Sequence, residues 1–409
     1  MEQIYDVIII GSGIAGLYAG YNITKDYPEK KILILERYHK KYIGGRMNNE
    51  SFQGVKVVTG AGVGRKRKDK LLIRLLKELN IPTHEFQVKH SNSTSLEPKC
   101  NLKETFLDLK KRYNENPVNK TFKEFALPVL GESVYKNFTM CSGYTDYENE
   151  HAYSTFNNYG FNDNYDEWTA LSIPWKLLVD TLVDKIGENK IKTNCEVLKI
   201  KPDNLDYIVQ CEKKDFITKK IIIATTIDSV LKILPNANKE TSIYKEIHGQ
   251  PFLRLYGKFS KESNEIMKNF VKGMTNVEGP LQKILAMNTE KGVYMISYSD
   301  NDKAKSLKNK LENNESNRRF FENAIEKALG LERGSLHLIA ISDYYWKIGT
   351  HYYEPLGDRF KTRNEFVKIA QHPFSDIAVV GEMISVNQGW VEGALESVEA
   401  VLKPKWMSS

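Results

Sequence analysis

The stretch Val7-Ile8-Ile9-Ile10-Gly11-Ser12-Gly13-Ile14-Ala15-Gly16 decides how the chain reads. Four β-branched residues in a row leave no polar face, as a strand buried on both sides of a parallel sheet requires. Three glycines follow at once, then Leu17, Ala19, Tyr21 and Ile23 in helix-compatible surroundings. A second apolar run, Ile32-Leu33-Ile34-Leu35, ends in Glu36, about twenty residues beyond Gly16, with Arg37 next to it. Strand, glycine turn, helix, strand and acid in this order make a dinucleotide-binding unit of Rossmann type. Gly11 permits the tight turn and Gly13 lets backbone approach a pyrophosphate. Ile14 and Ala15 open the helix whose free N–H groups face the phosphates, and Gly16 lets helix and strand pack closely. A carboxylate at Glu36 accepts from both ribose hydroxyls and repels a 2′-phosphate. NADP is disfavoured; FAD and NAD remain.

The segments outside this unit choose between the two. Ile43-Gly44-Gly45-Arg46 resembles the G-G-R motif that follows the ribose acid in the flavin-containing amine oxidase superfamily. That family includes monoamine and polyamine oxidases, L-amino-acid oxidases and protoporphyrinogen oxidase. Two glycines let the loop lie against the cofactor, and a guanidinium offers forked donors to phosphate oxygens. Thr59-Gly60-Ala61-Gly62-Val63-Gly64 resembles the family's next stretch, a small-residue loop passing near the flavin. At the far end of the chain, Ile377-Ala378-Val379-Val380-Gly381-Glu382 is a buried strand ending in Gly-Glu. Gln388-Gly389-Trp390-Val391-Glu392-Gly393-Ala394 then resembles the family's closing motif. The resemblance implies that Glu382 binds a ribityl hydroxyl and that the helix start at Trp390, Val391 and Ala394 faces the flavin. A helix N-terminus there stabilises the negative charge of reduced flavin. It also implies three strands near Cys195–Ile200, Tyr207–Cys211 and Lys220–Thr225, with the backbone at Val197 meeting the adenine. The implied cofactor is FAD, bound non-covalently.

The same resemblance predicts an α/β fold in which a discontinuous, Rossmann-like FAD-binding domain occupies 1–85, 175–245 and 370–403. An α+β substrate domain with a mixed sheet takes 86–174 and 246–369. The implied reaction is oxidation of a small-molecule amine, with hydride passing from its α-carbon to flavin N5 and O₂ reduced to H₂O₂. A desaturase or dehydrogenase of the same fold is the rival, and a flavin-binding protein with little activity is a third reading. Such a site holds the reacting C–H about 3–3.5 Å from N5 between aromatic walls. Trp390 and Tyr352 stand at the family's aromatic positions, and His351 stands where monoamine oxidases carry the flavin-bonded cysteine. Arg254 falls where many amine oxidases place a lysine near N5. An arginine cannot release its proton, but it can orient a water or grip a carboxylate. Arg65 lies roughly where amino-acid oxidases bind a substrate carboxylate. Asp146, Glu148, Asp163, Asp166 and Glu167 are candidate ammonium partners, and no spacing selects among them.

Composition excludes the broad alternatives. With 41% hydrophobic residues and 26 glycines, the chain is ordinarily globular rather than disordered or fibrous. A net charge of +7 on this length gives solubility without indicating a nucleic-acid partner. The run Arg65-Lys66-Arg67-Lys68-Asp69-Lys70 reads as a solvated loop and helix start, and residues 87–99 read as a mobile surface loop. The four cysteines show no metal-like spacing, and neither do His84, His90, His248 and His337, so no metal site is expected. A disulfide framework is not expected, and a reducing compartment is the simpler reading. No apolar run approaches a membrane span, so the chain is expected to be cytoplasmic. Nothing in the sequence sets an oligomeric state.

Overall fold

A computed structural model describes residues 3–204 and 206–408. Its first sheet has seven strands, with Ile4–Ile10 at the centre between Ile32–Leu35 and Phe216–Ile223. The long strand Phe216–Ile223 is shared along its outer edge. Its first half pairs antiparallel with Asp206–Cys211, and its second half pairs parallel with Ile377–Val379. Val7 and Ile9 point into one core, Ile8 and Ile10 into another, as the period of two dictates. Helices Ile14–Asp26, Trp175–Ile186 and Val391–Val401 cover the first face, and Ile227–Ile233 and Arg363–Gln371 cover the second. Burial on both faces explains why the sequence shows unbroken β-branched runs instead of alternation.

Four neighbouring parallel strands end together, and their C-terminal ends carry Gly381-Glu382, Ala224, Gly11 and Glu36 in that spatial order. Crevices at such strand ends are where open α/β sheets bind ligands.

The second sheet is mixed and six-stranded, in the order Leu338–Tyr353, Ile247–Phe259, Val293–Asp300, Lys283–Asn288, Met274–Asn276, His90–Asn92. Every pair is antiparallel except the last. Helices Lys261–Phe270, Asn301–Leu307 and Glu315–Leu329 close one face over a core of Leu253, Leu255, Phe321 and Ile325. The other face, with Arg254, Tyr298 and Met295, looks into the crevice. An aromatic-rich bundle spanning 102–157 packs Phe106, Phe122, Tyr147 and Phe156 beside it.

Two expectations fail here. Residues 87–99 are not one surface loop. They finish the strand His84–Val88, supply the strand His90–Asn92 and end in a short helix Glu97–Lys99. Polar composition hid them, because edge strands pair through backbone whatever their side chains. Second, Cys100 and Cys141 form a disulfide with Cα atoms 5.6 Å apart. It ties the approach to helix Leu102–Glu115 to the end of helix Glu132–Ser142. The partners are 41 residues apart, so spacing alone could not pair them, and the bond weakens the reading of a reducing compartment. Among the described residues, no helix is long and apolar enough to cross a membrane.

Denatured, unreduced protein is expected to show two titratable thiols, Cys195 and Cys211; four would contradict the bond. Cys141→Ser should cost about 4 kcal/mol in urea denaturation, the closure entropy of a loop this long.

Candidate functional site

A single cavity of about 2470 Å³ runs from the glycine turn across the strand ends to the second sheet. At its first end the turn is as tight as backbone allows. Gly11 has φ +104°, and a Cβ there would sit 2.5 Å from the Ala224 carbonyl oxygen. A Cβ on Gly16 would meet the Gly11 carbonyl oxygen at 2.0 Å, so Gly16 serves packing and does not line the cavity. Gly13 is the opposite case: nothing lies within 4 Å of where its Cβ would be. That open space faces helix Ile14–Asp26, which has no side-chain cap, so its first N–H groups are free for a ligand. Gly44 N–H donates to the Ser12 carbonyl at 2.9 Å, laying Gly44-Gly45 against the turn.

Glu36 is buried and lines the cavity. Its Oε2 accepts from Ser12 N (3.0 Å) and Ser12 Oγ (2.6 Å), and its Oε1 from Tyr38 N (3.0 Å). Ser12, which the motif leaves unspecified, therefore orients the acid. Ile14, Ala15, Arg37, Val197 and the Gly60-Ala61-Gly62 loop also line this cavity. The loop is pinned from several sides: Ala61 N donates to the Arg46 carbonyl, Trp346 Nε1 to the Thr59 carbonyl and Trp175 Nε1 to the Gly62 carbonyl.

Arg46 and Glu382, 336 positions apart, meet at 2.9 Å. Arg46 Nη1 also donates to the Gly349 carbonyl at 2.6 Å. His351 Nδ1 lies 2.5 Å from the same Glu382 Oε1, while Gly389 N donates to Oε2 at 3.1 Å. Ile227 N donates to His351 Nε2 at 3.3 Å, which leaves the proton on Nδ1. Burial pushes the Glu382 carboxyl up, but the Arg46 charge and the hydrogen bonds from His351 and Gly389 outweigh it and hold the carboxyl below its ordinary range. Beside it, helix Val391–Val401 starts at Trp390 without a side-chain cap, and Val391 and Ala394 face the cavity. Two uncapped helix N-termini, an open glycine and Glu36 converge on one cavity. This donor set suits the phosphates of a dinucleotide.

The far end holds the aromatic and charged residues. Arg254, 8% exposed, donates from Nε to the Gly60 carbonyl at 2.7 Å and stacks 4.2 Å from the Tyr298 ring centroid. It thus pins the small-residue loop, and its Nη2 would sit 3.2 Å from a Cβ on Gly62. Asp146 and Tyr159 line the wall, with Tyr159 Oη donating to Asp146 Oδ1 at 2.6 Å. Gln250 Nε2 bonds both the Asp146 carbonyl and Thr350 Oγ1, linking that wall to Thr350 beside Gly389. Burial, then the nearby Asp300 carboxylate, push Asp146 up to about 8. Of the five candidate carboxylates, Asp146 and Asp163 line the cavity while Glu148, Asp166 and Glu167 do not. Only the fold, which returns 144–164 over the second sheet, could select them.

Two expected positions fall elsewhere. Tyr352 does not line the cavity, which ends at His351 on that strand. Its ring stacks on His248 at 5.3 Å, opposite it in the pairing of Ile247–Phe259 with Leu338–Tyr353. Around Tyr352 only Trp346 and Gly349 carry the resemblance, too few residues to fix a strand position to within one. Arg65 is buried and committed. Its Nε and Nη2 grip Asp69 Oδ1 at 2.8 and 2.7 Å, and its guanidinium lies 3.8 Å from the Trp390 ring. No fork remains for a carboxylate. It supports Trp390, so the basic run is only partly solvated: Arg65 and Asp69 are buried, and Lys68 bonds Asp163.

Comparison with known proteins agrees with this architecture. Residues 9–79 match the family of NAD(P)-binding Rossmann-like domains. The whole chain superimposes on a double mutant of putrescine oxidase made to redesign its cofactor binding, with TM-score 0.76, 14% identity and 100% of both chains covered. Wild-type putrescine oxidase bound to putrescine gives TM-score 0.74 and 14% identity over 98% of both. A 57-residue stretch is 35% identical to an uncharacterized protein, R188, of Acanthamoeba polyphaga mimivirus, covering 14% of this chain and 11% of that protein. At 14% identity the likeness establishes the fold alone, the one that putrescine oxidase has.

The Glu382 pKa lies below the ordinary one, so its stabilisation is complete above about pH 4.5 and is lost as pH falls toward 2. In urea denaturation at fixed pH, the stability gap between wild type and Glu382→Gln should shrink steadily from pH 5 to pH 2. A constant gap would contradict the assignment.

Proposed function

We propose that this chain, built on the flavin amine oxidase fold, is an FAD-dependent oxidoreductase that oxidises a small amine and reduces O₂ to H₂O₂. The carrying observation is the single cavity that joins the glycine turn, the Arg46–Glu382 pair and the wall of Trp390, Tyr298 and Asp146. Bound FAD would supply the hydride acceptor. Gly13 and the N–H groups of helix Ile14–Asp26 would hold its pyrophosphate, and Glu36 its adenosine ribose. Arg46 keeps two of its three guanidinium nitrogens for the ligand, since its bonds to Gly349 and Glu382 both use Nη1. Both nitrogens of His351 are engaged, by Glu382 and Ile227, which favours non-covalent binding.

The substrate's nitrogen must be neutral before hydride can leave its neighbouring carbon. Asp146 is the cavity carboxylate suited to receive the ammonium and take its proton, with Tyr159 holding one oxygen. Its raised pKa makes it a competent base near pH 8 and above, and an arriving cation favours its ionised form. Trp390 and Tyr298 exclude water and favour developing positive charge. Arg254, locked to the Gly60 carbonyl, leaves no lysine at the usual place. This supports as second reading a dehydrogenase or desaturase of the same fold with another electron acceptor.

Anaerobic mixing with putrescine, benzylamine and an amino-acid panel should bleach the flavin with one class, and air should restore the colour with release of H₂O₂. Bleached flavin that survives minutes in air selects the second reading; no bleaching sinks both. With the bleaching amine, Asp146→Asn should retain FAD, lose the rise in reduction rate through about pH 8 and slow by about a hundredfold. An unchanged pH profile would remove Asp146 from the reaction.

A further inference from the structure

Two thiols lie at the nucleotide end of the cavity, and the chemistry above uses neither. Cys195 precedes the strand Val197–Asp203, and Cys211 ends the strand Asp206–Cys211. The strands are antiparallel with Val197 opposite Cys211, and the register slips between Val197 and Lys199. Both cysteines are 7% exposed and pack in the same buried cluster, Cys195 standing two residues before the partner of Cys211 in the pairing. Cys195, Glu196 and Val197 line the cavity, and Cys195 N–H donates to the Glu36 carbonyl at 2.9 Å. One thiol of the pair therefore adjoins the space meant for a nucleoside. Its peptide also holds the residue that carries the ribose-facing carboxylate.

We propose that Cys195 and Cys211 are a reversible disulfide site whose closure weakens dinucleotide binding. The two thiols have unequal roles. Cys195 lines the cavity and meets an oxidant dissolved there, with Lys192 and Lys213 favouring its thiolate, while Cys211 is not among the lining residues. Cys195 is thus the attacking thiolate and Cys211 the resolving thiol. Hydrogen peroxide accepts the electron pair of the Cys195 thiolate; the O–O bond breaks, leaving a sulfenic acid and a hydroxide that takes up the thiol's proton as water. Cys211 sulfur then displaces the sulfenic oxygen as a second water, and the S–S bond forms. Two thiols are oxidised by two electrons, and one peroxide is reduced to two waters. That this chain itself makes the peroxide rests on the proposed oxidase reaction; the geometry of the thiol pair does not.

A disulfide requires about 2.05 Å between sulfurs, shorter than any non-bonded contact between two thiols. Closure therefore draws the segment before Val197 toward Cys211 and strains its bond to the Glu36 carbonyl. Linkage makes the effect reciprocal, so a bound dinucleotide resists closure to the same degree.

Full-length protein, with and without FAD, is treated with hydrogen peroxide, digested unreduced and mapped by mass, and its FAD affinity is read by fluorescence titration. A peptide linking Cys195 to Cys211 should appear, more slowly when FAD is present, and the FAD Kd should rise roughly tenfold. Dithiothreitol should reverse both changes, and Cys195→Ser and Cys211→Ser chains should show neither. The Cys100–Cys141 peptide serves as an internal marker of disulfide recovery. Recovering Cys195 and Cys211 as free or singly over-oxidised residues overturns the proposal, as does a linked pair with unchanged affinity. If FAD binds in neither redox state, the dinucleotide reading fails and the coupling with it, while the linked peptide still decides the thiol chemistry.

Discussion

A carboxylate held away from water between Arg46 and His351 is the constraint on which the rest of this structure depends. Glu382 opens a short helix just after the strand Ile377–Val379, Arg46 follows the second strand from the N-terminus, and His351 comes from the long strand of the second sheet. An ionised group at this depth is tolerated because charge-assisted donors and the Gly389 N–H meet both its oxygens. Removing one partner would leave a buried charge uncompensated, at a cost of about 3–5 kcal/mol. The cluster thus fixes how three distant segments meet, and the cavity is the space they leave between them.

The nucleotide half was legible because its chemistry is local. Strand, glycine turn, helix and acid are contiguous, and each glycine answers a steric demand seen in the structure: Gly11 against Ala224, Gly16 against Gly11, Gly13 against nothing. The second sheet's strands were legible only in part. Phe252 to Phe259 was readable from its apolar side chains, while the strand itself begins at Ile247. Polar edge strands such as His90–Asn92 carry no pattern, because their place is set by backbone pairing to Met274–Asn276. The disulfide was invisible for a related reason: helix packing, not spacing, brings Cys100 to Cys141.

The far end of the cavity shows where analogy by position stops. Arg254 occupies the expected strand position, yet its Nε is committed to the Gly60 carbonyl and its plane to Tyr298. Arg65 turns out to support Trp390 from behind, held by Asp69. In both cases an arginine that sequence reasoning offered to a ligand is used to hold the wall of the site. Asp146 gained significance only when the chain between the two sheets folded back and set it beside Tyr159. No periodicity could have separated it from its acidic neighbours.

The central claim is that the two ends of the chain close around one FAD. The visible absorption spectrum of the purified protein, taken before and after incubation with FAD and removal of the excess, tests it most directly. Flavin bands corresponding to one FAD per chain are predicted. A protein that stays colourless after incubation would contradict the account at its base.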